Sequence, residues 1–140
     1  MSRIRPITVE EYLLMVEIVK DIHEENAEPI PSFHQSKRGA LESCLLTPFL
    51  GFEGKLFYKG LIHKGSILFY LLARNHVLAN GNKRLACICL WYFYKVNGKR
   101  LRIPNDVYYD LAKETVLAKE EDKDEVIKKI EKVIRKYALR

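Results

Sequence analysis

Cysteine is scarce in this chain. Cys44, Cys87 and Cys89 are three among 140 residues, and an odd number without framework spacing excludes a disulfide-stapled scaffold. Cys87 and Cys89 stand two apart in a segment that reads as helix, so they point in different directions and make a poor metal pair. Buried free thiols in a reducing compartment are the expectation. Long hydrophobic runs are missing too. The longest, Leu85 to Tyr94, is about half of the ~20 residues a membrane-spanning helix needs. The N-terminal Met1-Ser2-Arg3-Ile4-Arg5-Pro6 has no apolar stretch behind it, so no signal peptide is expected. These absences predict a cytoplasmic protein without a membrane segment. There is no Gly-x-Gly-x-x-Gly, no Walker-type loop and no Ser/His/Asp pattern, which excludes the commonest dinucleotide, P-loop and serine-hydrolase signatures. No repeat, low-complexity tract or linker divides the chain, and its length suits one domain over residues 1–140.

What is present is a globular composition, 48% hydrophobic and 30% charged. The net charge of +6 suits phosphate-bearing ligands, nucleic acid or an acidic protein partner. The charges from Lys119 to Lys136 mix both signs, as a solvated helix face does. Without aromatic and basic residues interleaved, direct nucleic-acid binding is not expected.

The periodicity predicts an all-α fold. Thr8-Val9-Glu10-Glu11 has the form of a capping box, and Tyr12, Leu13, Val16, Val19 and Ile22 follow at helical spacing, predicting a helix over 9–25. The prolines between Asn26 and Pro31 break it. Ser36 is placed to cap a second helix, from about Lys37 to Leu46. Gly51, Phe52, Gly54 and Leu56 read as a small hairpin flap. Residues 61–75 return to helical spacing. Residues 82–96 are apolar on nearly every face, so this helix must lie centrally, and Asn97-Gly98 stops it. A short extended piece at 101–103 precedes two more helices, with Asn105 and Asp122 as candidate caps. The expected architecture is a compact helical bundle around the 82–96 helix, with the hairpin as its flap.

The chemistry concentrates in His76-Val77-Leu78-Ala79-Asn80-Gly81-Asn82-Lys83-Arg84. An imidazole titrates near ~6.5 in peptides, so a histidine here can take a proton from a nearby hydroxyl. Asn80-Gly81-Asn82 can turn sharply, because Gly and Asn tolerate positive φ. Such a turn aims consecutive amides at one point, next to the positive end of the following helix. Lys83 and Arg84 sit in that helix's first turn, where they oppose its dipole. A phosphate held among Asn80, Gly81, Asn82, Lys83 and Arg84 would remove the conflict. His63 and His76 lack metal-ligand spacing and a third partner. His23 and His34 read as surface residues.

These nine residues resemble the signature of the Fic/Doc family, roughly His-x-Phe-x-Asp/Glu-Gly/Ala-Asn-Gly/Lys-Arg. The lysine at 83 resembles the Doc (death-on-curing) branch, and the layout of helices and flap is similar through most of the chain. The resemblance implies transfer of part of ATP onto a protein hydroxyl, with Mg²⁺. It implies His76 as the base, Gly81, Asn82 and Arg84 as phosphate-holding residues, and the Asn80 position as the metal site. In the Doc branch it implies transfer of the γ-phosphate to an EF-Tu-like translation factor, which inhibits translation, within a type II toxin–antitoxin module. Transfer of AMP is the alternative that the Fic branch implies. Two positions depart from the pattern. Leu78 replaces Phe, which changes packing. Asn80 replaces a carboxylate and brings an oxygen without charge, which weakens Mg²⁺ binding. A binding protein of the same fold that has lost activity is therefore a third reading. None of the serines or threonines has Glu four residues on, so the family's Ser/Thr-x-x-x-Glu inhibitory motif is absent and an antitoxin in trans is the expected restraint. Phe52 and Leu56 in the flap are the candidate docking residues for the target, by strand addition.

Overall fold

The computed structural model describes residues 3–23 and 33–139, with side chains left out of account at 21–23. The proline-bearing break at 26–31 and the side chain of His23 lie outside the described residues. The elements in chain order are α1 (Val9–His23), α2 (Arg38–Leu46), β1 (Gly51–Phe52), β2 (Lys55–Leu56), α3 (Gly60–Arg74), α4 (Asn82–Val96), β3 (Arg100–Leu101), α5 (Asn105–Leu117), α6 (Lys123–Tyr137) and β4 (Ala138–Leu139). Short 3₁₀ turns precede α2, follow it, and precede α6.

The capping box forms as the sequence predicts. The Thr8 amide donates to Glu11 Oε1 at 2.9 Å, and the Glu11 amide donates to Thr8 Oγ1 at 3.1 Å. Arg5 adds a two-pronged contact to the same carboxylate, and the Tyr92 hydroxyl donates to it from α4. The Arg5 guanidinium holds the Glu11 carboxyl far below the usual carboxylate range. This ties the start of α1 to the central helix.

Three other caps differ from expectation. His34, rather than Ser36, caps the 3₁₀ turn at Gln35–Lys37, and Lys37 then leads into α2 without a side-chain cap. Pro104 occupies the N-cap position of α5, and Asn105 is already helical. Proline has no N–H to leave unpaired and its φ is preset, so it opens a helix without an Asn cap. Asp122 is the N-cap of α6 but makes no cap bond, because the preceding 3₁₀ turn holds its backbone near φ −96°, ψ 12°, away from the extended geometry a capping side chain needs.

The core lies around α3 and α4. Gly65 lets them approach: a Cβ there would stand 3.1 Å from Leu90 Cδ1 and 3.5 Å from Tyr94 Cε1. Leu68, Phe69 and Leu72 of α3 meet Leu85, Cys89, Leu90 and Phe93 of α4, all at most 2% exposed. Helix α6 lays Ile127, Ile130 and Ile134 onto this core. Helix α4 ends in a Schellman motif. The Lys99 amide bonds Tyr94 O, the Gly98 amide bonds Lys95 O, and Gly98 takes φ +75°. The chain then pairs β3 antiparallel with β4, Leu101 opposite Ala138, a pairing between distant segments.

The flap is the hairpin β1–β2, with Phe52 opposite Lys55. Glu53 and Gly54 both have positive φ, the two-residue turn that matches strand twist. Buried Lys64 of α3 pins its base: Nζ donates to Tyr58 O and lies 5.3 Å from the Phe49 ring centre. Burial lowers the pKa of this lysine, which has no carboxylate partner in that contact.

Candidate functional site

The nine-residue stretch is the connection from α3 into α4. Helix α3 ends where Asn75 takes extended backbone, with its Nδ2 donating to Leu71 O at 2.8 Å. His76 is exposed, whereas Val77 and Leu78 are 1% and 2% exposed. Leu78 therefore fills an apolar slot, as a replacement for Phe should. The loop is clamped by a reciprocal pair: the Leu78 amide donates to Asn82 Oδ1 at 3.0 Å, and Asn82 Nδ2 donates to Leu78 O at 2.8 Å. Gly81 caps α4 at φ 93°, a conformation open to glycine without strain. Gly81, as the N-cap, gives α4 no side-chain cap bond.

The structure gathers Asn80, Gly81, Lys83 and Arg84 at one end of a groove of about 1030 Å³. Cys87, Ile88 and Trp91 continue the wall along the same face of α4, at the three- and four-residue spacing of a helix. Arg102 to Asn105, Tyr108, Tyr109 and Ala112 form the facing wall. Asn82 is not in the lining, because its amide is spent on the clamp. Those bonds hold the loop's shape.

The groove is apolar along most of its length. Burial pushes the Cys87 thiol up to about 12, and Sγ lies 3.9 Å from Tyr108 O, so this cysteine is an inert wall. The Tyr108 hydroxyl is buried and finds no hydrogen-bond partner in the protein, and burial raises its pKa. Leaving such a hydroxyl unpaired costs about 1–3 kcal/mol. The cations Lys83, Arg84 and Arg102 and the aromatic walls accommodate a molecule with an anionic part and a flat, apolar part.

His76 does not line this groove. It borders an adjoining pocket of about 610 Å³, with Val77, Leu78 and Ala79 on its own segment and His34, Ser36 and Lys37 across from it. The two spaces meet at one peptide: Ala79 borders the pocket and Asn80 the groove. Val77 and Leu78, both buried, anchor the loop on the His76 side of that peptide. The flap residues Phe52 and Leu56 are 68% and 47% exposed and line neither space. Among the described residues, no group of three or more His, Cys, Asp or Glu side chains forms a metal cluster.

Sequence reasoning missed the facing wall, from Leu101 to Ala112. Tyr108 and Tyr109, adjacent aromatics near the start of α5, were an available signal. It also missed His34, Ser36 and Lys37 as neighbours of His76, for which there was no local signal.

The loop, the central helix behind it and the flap define a class. The model of the Fic/DOC family matches residues 12–94, and the chain belongs to that family. Within it, the chain resembles the Doc branch: it is 38% identical over 69 residues to a protein named Toxin Doc from Mycolicibacterium smegmatis. The aligned part is 49% of this chain and 53% of that protein, so the chain spans about half the length of the curated relative it matches. No solved structure gives a significant match. Among the described residues, no helix is long and apolar enough to cross a membrane.

Proposed function

We propose that this protein is a Doc-like toxin that transfers the γ-phosphate of ATP to a hydroxyl of an EF-Tu-like translation factor, within the cytoplasm. The observation that carries the reading is the groove: Lys83 and Arg84 beside the Asn80-Gly81 turn, aromatic walls, and a histidine one loop turn away. Lys83 and Arg84 would hold phosphate oxygens, Arg84 as a planar fork and Lys83 as a mobile charge. Trp91, Tyr108 and Tyr109 offer faces for a base. ATP, when bound with Mg²⁺, supplies the transferable phosphoryl group. His76 would accept the proton of the incoming hydroxyl. The exposed apolar residues of the flap, Phe52 and Leu56, would flank the strand edge that docks the target. Restraint would come from a cognate antitoxin, consistent with the relative's name.

Asn80 favours a second reading. Its amide contributes no charge to a Mg²⁺ site, so a binding protein with weakened or lost catalysis is the alternative. Incubation with EF-Tu and ATP labelled at the γ- or the α-phosphate separates the readings. Label from γ on the factor supports the kinase reading, and label from α supports AMP transfer. If neither protein label appears with the native chain or with Asn80→Asp, the binding reading stands. Asn80→Asp should also tighten Mg²⁺–ATP binding. An unchanged affinity would remove Asn80 from the metal site.

A further inference from the structure

We propose that Ser36 is a self-modification site, at which this chain transfers a phosphoryl group from a nucleoside triphosphate to its own hydroxyl. The inference rests on the transferase reading above and adds an acceptor within the chain. Ser36 supplies the one hydroxyl in the lining of the pocket that His76 borders, and Ser36, His34 and His76 are all exposed. Its backbone amide donates to His34 Nδ1 at 3.2 Å, and its Oγ lies 2.6 Å from the same nitrogen. A ring nitrogen that accepts an amide hydrogen carries no proton of its own. The hydroxyl must therefore be the donor in the shorter contact. Capping the 3₁₀ turn needs only the amide bond; the contact to Oγ is additional. A serine whose proton is aimed at an imidazole is a serine prepared for nucleophilic attack.

The donor end is close in the chain. Ala79 lines this pocket, and the adjoining Asn80 lines the groove whose head carries Lys83 and Arg84. Lys37, beside Ser36 in the lining, places a positive charge where a transferred phosphate would come to rest. In the step, Ser36 Oγ attacks the γ-phosphorus. The Oγ–P bond forms and the bond from that phosphorus to the bridging oxygen breaks. The nucleoside diphosphate leaves with the electron pair, and the hydroxyl proton passes to His34 Nδ1. A phosphoserine at 36 would then stand in front of His76 and fill the space a target hydroxyl needs.

The experiment is incubation of the purified full chain with γ-labelled ATP, with and without EF-Tu, followed by fragmentation mass spectrometry to separate Ser36 from Ser32. Label on Ser36 is expected. Ser36→Ala should lose it and still label EF-Tu. His34→Gln should reduce Ser36 labelling at least about tenfold, as loss of a general base does, with an unchanged circular-dichroism melting curve. EF-Tu labelled while Ser36 stays unlabelled would overturn the inference and leave the transferase reading standing. Undiminished self-labelling of Ser36→Ala would overturn it as well. No label on either protein would overturn both.

Discussion

The two spaces beside the 76–84 loop are lined by different kinds of side chain. The groove is the larger, with Lys83, Arg84 and Arg102 set among the aromatic side chains of Trp91, Tyr108 and Tyr109. The adjoining pocket is smaller, and its lining includes two histidines, a serine and a lysine. The first is suited to holding a ligand and the second to moving protons. The boundary falls between Ala79 and Asn80, and the buried Val77 and Leu78 anchor the loop just before it. Burying an aliphatic side chain stabilises by about 1.5–3 kcal/mol, so this anchor is firm.

The comparison can be broken most strongly at the proton-moving side. His76→Ala should lower the rate of label transfer to EF-Tu by about 10² to 10⁴ while leaving ATP affinity, measured by titration calorimetry, unchanged. Equal losses of rate and affinity would mean that the two spaces act as one. On the holding side, Arg84→Ala should weaken ATP binding by about ten- to a hundredfold, the value of a charge-assisted hydrogen bond. Loss of rate without loss of affinity would move Arg84 out of the ligand's reach.

The division itself is tested at the clamp. Asn82→Ala removes both bonds to Leu78 and should cost about 1–3 kcal/mol in urea unfolding, with affinity and rate falling together. Normal function in that variant would show that the Val77–Leu78 anchor suffices. The smallest effect is expected far from both spaces. Glu11 has its pKa lowered by Arg5, so its stabilisation is present above the unfolded carboxyl value near ~4.3 and is lost as pH falls through the depressed folded value. Glu11→Gln should cost about 1 kcal/mol at pH 7. Its gap from the native chain should narrow below about pH 4. A gap independent of pH would assign the loss to the cap geometry alone.

Much of this was legible beforehand, for identifiable reasons. The Thr8–Glu11 box, the Asn97–Gly98 stop and the Gly54 turn are local devices whose partners lie within a few residues. The apolar excess of α4 was legible in amount but only partly in meaning. Leu85, Ala86, Cys89, Leu90, Phe93 and Tyr94 are buried as expected, whereas Trp91 is 44% exposed and, with Cys87 and Ile88, forms a groove wall. Periodicity reports how many faces of a helix are apolar, not whether each meets another helix or an opening. The family match ends at residue 94, so the facing wall was beyond the reach of the resemblance too.

The amino-acid order determined the helices, the left-handed turn at Gly81 and the type of chemistry in residues 76–84, because those depend on bonded geometry and short-range pairing. Tertiary structure decided which residues share a space. His34, Ser36 and Lys37 meet His76, and Tyr108 meets Cys87, only because α2, α5 and the central pair are packed together. The burial free energy that drives that packing depends on the area removed from water and not on distance along the chain.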